Sequence, residues 1–104
     1  DFSESPSVRS LKRALFGELD EYALSDCKLA REGFAQAPLV GGNLSILYSL
    51  AGTASDISTK GKILFIEDLA EYLYHIDRMM ISLKRGGKLA GLKGLIVGGM
   101  TETN

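Results

Sequence analysis

Two neighbouring carboxylates, Glu67 and Asp68, close a short apolar run and precede a long amphipathic segment in KGKILFIEDLAEYLYHIDRMM. A carboxylate ending a buried strand needs a reason, and two are available. Glu67 could simply start the next helix beside Asp68, where negative side chains complement the helix dipole. Alternatively it could be the acid of a catalytic triad. A carboxylate held ionised at a helix start suits orienting a histidine and stabilising its imidazolium better than donating a proton.

Possible partners for such an acid are few. His75, the single histidine, lies eight positions beyond Glu67. On one shared helix the rise of about 1.5 Å per residue separates the two by roughly 10 Å or more, beyond hydrogen-bond reach. His75 is therefore expected on the surface or at a domain contact. Ser45 follows Gly41, Gly42 and Asn43 without forming a Gly-x-Ser-x-Gly elbow, so it reads as a first-turn helical residue. Gly41 and Gly42 could let backbone approach a carboxylate or phosphate, yet they match neither the dinucleotide fingerprint nor the phosphate loop. Asn43 is either a helix cap or a substrate-facing amide beside a cleft, with Gly42 next to it. Tyr48, Tyr72, Tyr74, Met79 and Met80 suit packing positions or their rims better than a cofactor site.

The elements that must place these residues follow from punctuation and periodicity. Ser5 and Pro6 open a helix that carries Val8, Leu11 and Leu15 and stops at Gly17. A strand is expected at 21–25, a turn at 28–33, and a second strand at 34–40 that Pro38 assigns to an edge or a bulge. Gly41 and Gly42 end that strand, Asn43 caps a helix with Leu44, Leu47, Tyr48 and Leu50, and Gly52 closes it. A loop covers 53–61. The run at 62–66 is continuously apolar, which predicts a central strand covered on both faces in a parallel sheet. Asp68 and Glu71 then read as a capping box for a helix whose apolar stripe holds Leu69, Tyr72, Leu73, Ile76, Met80 and Leu83 and ends at Gly86 and Gly87. Lys84, Arg85 and Lys88 complement its dipole, and a last strand spans 92–97 before Gly98 and Gly99. Strands alternating with helices predict an α/β fold.

Composition narrows the function classes. With 104 residues, 45% of them hydrophobic, the chain supports one core of modest size. Its net charge of −1 with scattered Lys and Arg gives no basic face for nucleic acid and no polybasic tail for an anionic membrane. Cys27 is the single cysteine and has no partner for a bridge or metal site, so it reads as a small buried thiol. No signal peptide or apolar span of membrane length is present, and the expected compartment is the cytoplasm.

Taken together, LVGGNLSILYSLAGT, GKILFIEDLAEYLYHIDRMMISLKRGGKL and GLIVGGMTETN resemble the C-terminal domain of the muropeptide LD-carboxypeptidases, a serine peptidase family that includes microcin C immunity peptidases. SLKRALFGE, residues 10–18, resembles the segment that opens this domain. The resemblance implies a swivelling β/β/α domain with a mostly parallel or mixed sheet. It also implies a Ser-Glu-His hydrolase whose glutamate matches Glu67, with the serine upstream of Asp1 in an N-terminal domain and the histidine in a downstream Gly-His motif. On that basis residues 1–104 form a truncated C-terminal domain, inactive alone, and the absence of an initial methionine and the polar TETN ending fit an excised piece. The implied reaction removes a terminal D-alanine from murein tetrapeptides in cytoplasmic cell-wall recycling, with no metal or organic cofactor. The implied partners are the murein peptide, the N-terminal domain of the same protein and a second copy in a homodimer. Asn43 and Gly42 are the expected substrate-side residues.

Two other classes compete. A non-catalytic binding or oligomerisation module would use Glu67 only as a cap. A small nucleotide-binding domain is disfavoured because no phosphate loop fits.

Overall fold

Ser5 places its side chain under the first turn of α1 (Pro6–Leu15), accepting from the Val8 N–H at 3.4 Å. Proline at the first helical position has no N–H to leave unpaired. The computed structural model describes residues 5–18 and 33–101. The strand expected at 21–25, most of the turn at 28–33 and Cys27 lie outside those residues. The chain divides into two units, Asp1–Glu32, which holds α1, and Gly33–Asn104, which holds every other element.

The second unit runs β1 (Leu39–Asn43), α2 (Leu44–Leu50), β2 (Ile63–Leu69), α3 (Leu73–Arg85) and β3 (Gly94–Thr101). Its three strands pair in the order β1-β2-β3, both pairs parallel, with β2 in the centre. The α/β expectation and the central place of the strand expected at 62–66 therefore hold. Leu44 and Leu47 from α2, Leu64 and Ile66 from β2, and Met79 and Leu83 from α3 form the buried core. Burial along β2 alternates, with Leu64, Ile66 and Asp68 buried and Ile63, Phe65 and Glu67 only half-buried. Among the described residues, then, one face of the strand is sealed by helices, not the two that its unbroken apolar run predicted. Successive strand side chains point to opposite faces, so Glu67 and Asp68 necessarily part company.

The boundaries of β1 and β3 move. β1 starts at Leu39 rather than 34, after Pro38, and Phe34 is 93% exposed. Gly41 and Gly42 belong to the strand instead of ending it. At Gly41 (φ 135°) a Cβ would lie 1.9 Å from the Phe65 carbonyl oxygen, so only glycine fits against β2 there. β3 likewise runs through Gly98 and Gly99 to Thr101.

The Asp68–Glu71 capping box does not form. β2 continues through Asp68 to Leu69, the chain turns at Ala70 in the left-handed region (φ 59°), and α3 begins only at Leu73 with Tyr72 as a cap lacking a side-chain hydrogen bond. Leu69, Tyr72 and Leu73 are accordingly exposed, and the buried contribution of α3 comes from Met79 and Leu83. Asp68 cannot cap α3 because its carboxylate is already committed elsewhere.

At the other end of the sheet, the 53–61 loop is fastened to the end of α3. Lys88 pairs with Asp56 at 3.0 Å and donates to the Ile57 carbonyl, while Thr59 Oγ1 donates to the Lys88 carbonyl at 2.7 Å. The Gly52 N–H and the Lys88 ammonium hold the Asp56 carboxyl below the usual carboxylate range.

Candidate active site at the carboxyl end of the sheet

In open parallel sheets, ligands collect beyond the carboxyl ends of the strands. Here those ends bring Asn43 and Glu67 side by side as register partners on β1 and β2. On the other flank the register slips: Ile66 pairs with Val97 but Asp68 pairs with Met100, so Glu67 stands opposite Gly98 and Gly99. The missing side chain at Gly98 is what makes room. A Cβ there would lie 3.0 Å from the Phe65 ring and 3.2 Å from Glu67 Cβ. Glu67 thus rises from a slot lined by Phe65 and a bare stretch of β3. Among the described residues, no hydrogen bond or ion pair engages its carboxylate.

Asp68, one residue on, is 5% exposed and fully engaged. Oδ2 accepts from the Ser45 N–H at 2.9 Å and the Ser45 hydroxyl at 2.6 Å. Oδ1 accepts from Asn43 Nδ2 at 3.3 Å and from the Leu69 N–H at 2.8 Å. Burial pushes this carboxyl up, but the four hydrogen bonds together outweigh it, the one from the Ser45 hydroxyl leading, and hold it below its ordinary value. Two of the donors, the Ser45 amide and hydroxyl, belong to the first turn of α2, whose amides have no partner within the helix.

Asn43 is the helix cap that its sequence position suggested: its Oδ1 accepts from the Ile46 N–H at 3.0 Å. With its Nδ2 on Asp68, each end of the amide has a protein partner. Ser45 is a first-turn helical residue, again as expected. Its Oγ also lies 3.0 Å from Glu71 Oε1, so a single hydroxyl hydrogen stands between two carboxylates, with Asp68 the nearer.

His75 is not separated from Glu67 along a common helix, because Glu67 lies in a strand; its partner is Glu71, with Nδ1 at 2.7 Å from Oε2. The edge of Tyr48 and the tilted ring of Tyr74 flank the imidazole. Ser45, Glu71 and His75 thereby form a row with the acid in the middle. A hydrolytic triad needs the histidine in the middle, so this row is no substitute for one. Among the described residues, no three His, Cys, Asp or Glu side chains gather as a metal site, and no helix is long and apolar enough to cross a membrane.

Residues 36–104 match the family described as the LD-carboxypeptidase C-terminal domain. The chain belongs to that family. Over 65 residues it is 55% identical to a Bacillus subtilis protein named "Probable murein peptide carboxypeptidase", a match covering 62% of this chain and 20% of that protein. A solved structure, the muramoyltetrapeptide carboxypeptidase of Oxalobacter formigenes, superposes with a TM-score of 0.62 at 38% identity, covering 65% of this chain and 24% of that one. The chain thus spans about a fifth to a quarter of the length of these LD-carboxypeptidase relatives. The matched region contains the whole carboxyl end of the sheet, Asn43, Glu67 and Asp68 included.

The Asp68–Ser45–Asn43 network escaped the sequence reading, although a signal was available. Period-two alternation through ILFIEDL puts Asp68 on the same face as Leu64 and Ile66, and a carboxylate on a core face demands donors. The polar NLS segment opening the neighbouring helix was the obvious source.

Proposed function

We propose that, in a protein of its relatives' full length, this domain supplies Glu67 as the acid of a Ser-Glu-His triad. The observation that carries the proposal is a half-buried carboxylate at the carboxyl end of the central strand, free of partners among the described residues and beside a bare stretch of β3. An approaching imidazole N–H would find an acceptor with both oxygens available. The serine would come from an N-terminal domain and the histidine from a later segment of the same protein.

The reaction is acyl transfer. Serine oxygen attacks the carbonyl preceding a terminal D-alanine, the histidine takes the serine proton, and the tetrahedral adduct collapses as the C–N bond breaks and the imidazolium protonates the departing amine. Water, deprotonated by the same histidine, then cleaves the acyl-serine ester and restores the hydroxyl. Glu67 holds the histidine in the tautomer that accepts from serine and stabilises the imidazolium between the two transfers. No step calls for a metal or an organic cofactor. The substrate is a murein tetrapeptide, the setting cytoplasmic cell-wall recycling, and the assembly a homodimer. The Gly42 backbone and the remaining amide hydrogen of Asn43 are the groups offered to the substrate from β1.

Glu67→Gln in the full-length enzyme tests this. It should lower kcat by on the order of 10^3- to 10^4-fold, as loss of the triad acid does elsewhere, with the melting temperature unchanged. Turnover near that of the parent would remove Glu67 from the mechanism. A shift in melting temperature without loss of turnover would instead favour the module in which Glu67 is merely structural.

A further inference from the structure

We infer that Asp68 is the positioning residue for Glu67, acting through Ser45 and Asn43; this rests on Glu67 being the triad acid. On the side of β3 the register slips between Ile66 and Asp68, opposite Gly98 and Gly99, so the ladder skips Glu67 itself and resumes where Asp68 pairs with Met100 and Leu69 with Thr101. Immediately after Asp68 the strand reaches Leu69 and the left-handed turn at Ala70, and α3 does not begin until Leu73. On the side of β1 and α2, the Asp68 carboxylate fastens this stretch. Ser45 grips it with both N–H and hydroxyl, and Asn43, itself locked as the cap of α2, adds a third bond from β1. The fourth comes from the Leu69 N–H and sets the backbone just past the strand end.

Since adjacent strand residues point to opposite faces, fixing Asp68 on the helix side fixes the direction in which Glu67 leaves the sheet. A side chain anchored by four hydrogen bonds has little freedom to rotate, and neither has the peptide it shares with its neighbour. Asp68 touches neither substrate nor the incoming histidine. Its contribution reaches the chemistry only through Glu67, and a displacement of about 1 Å in a catalytic group can cost on the order of 100-fold in rate.

A double-mutant cycle in the full-length enzyme decides the matter. Asp68→Asn and Ser45→Ala are each made alone and together with Glu67→Gln, and kcat, KM and thermal unfolding are measured on a murein tetrapeptide. Ser45→Ala keeps the backbone N–H bond to Asp68 and serves if Asp68→Asn does not fold. The expected result is a fall in kcat of roughly 10- to 100-fold for the folded single variants, with KM changed less than about twofold. In the Glu67→Gln background the same changes should have no further effect on kcat, because the group they position is gone. Undiminished kcat in a folded Asp68→Asn or Ser45→Ala enzyme, or losses that multiply with that of Glu67→Gln, would overturn the inference while leaving the triad assignment intact. Wild-type turnover in Glu67→Gln alone would overturn both.

Discussion

The helix-covered face of β2 carries Asp68, whose two oxygens accept four hydrogen bonds, whereas the opposite face carries Glu67, which has no partner among the described residues. The two residues are chemically alike and adjacent in the chain; only the pleat separates them. A charge carried into a core must be saturated with donors, and once saturated it belongs to the architecture. A charge left half-buried beside a glycine strand keeps its acceptor capacity for something that arrives later. On the proposed function, one strand end thus provides both a rivet and a tool.

If this division is right, removing the two carboxylates should have opposite signatures. Asp68→Ala strands the Ser45 N–H and hydroxyl and the Asn43 amide, and should lower the unfolding free energy of the intact enzyme by about 3 kcal/mol. Glu67→Ala should stay within about 0.5 kcal/mol of the parent. Urea denaturation of both variants checks this, and equal losses would erase the contrast.

A smaller effect is expected on the Glu67 side from Gly98→Ala, where the new methyl presses the Phe65 ring and the Glu67 stem. It should cost about 1–2 kcal/mol and reduce turnover, whereas Gly94→Ala, whose nearest neighbours stand at 3.6 Å or more, should be nearly silent in both. Matching turnover in the two variants would show that the slot does not constrain Glu67.

The smallest effect concerns acid. The folded-state pKa of Asp68 is lowered from 3.8, so in acid the unfolded chain takes up this proton before the native one does. Its stabilisation is present above about pH 4 and is lost as the pH falls through the native value. Asp68→Asn should accordingly flatten the acid limb of a stability-pH curve below pH 4. An unchanged limb would mean that the hydrogen bonds to Asp68 do not favour its ionised form.

Much of this arrangement could be read from residue order. The α/β class, a central strand over 62–66 and the Asn43 cap all follow from local pattern, because strand burial and helix capping are encoded within a few positions. The start of α3 could not be read that way. Asp68-x-x-Glu71 satisfies the capping-box pattern, yet Ser45, more than twenty positions earlier, claims both of its acids. Local chemistry nominated a partner, and a non-local donor with better geometry displaced it. His75 follows the same logic: its helix begins six residues later than Glu67, and its true neighbour, Glu71, lies one turn away.

Gly41 carries a consequence for engineering. Because its hydrogen occupies a gap that a methyl would overfill against Phe65, the spacing of β1 and β2 is dictated by main chain alone and tolerates no padding. Grafting the glutamate-bearing strand into a foreign sheet would therefore require bringing its glycine neighbour as well, since a host strand with any side chain at that point would pry the two apart and carry the α2 anchor away from Asp68.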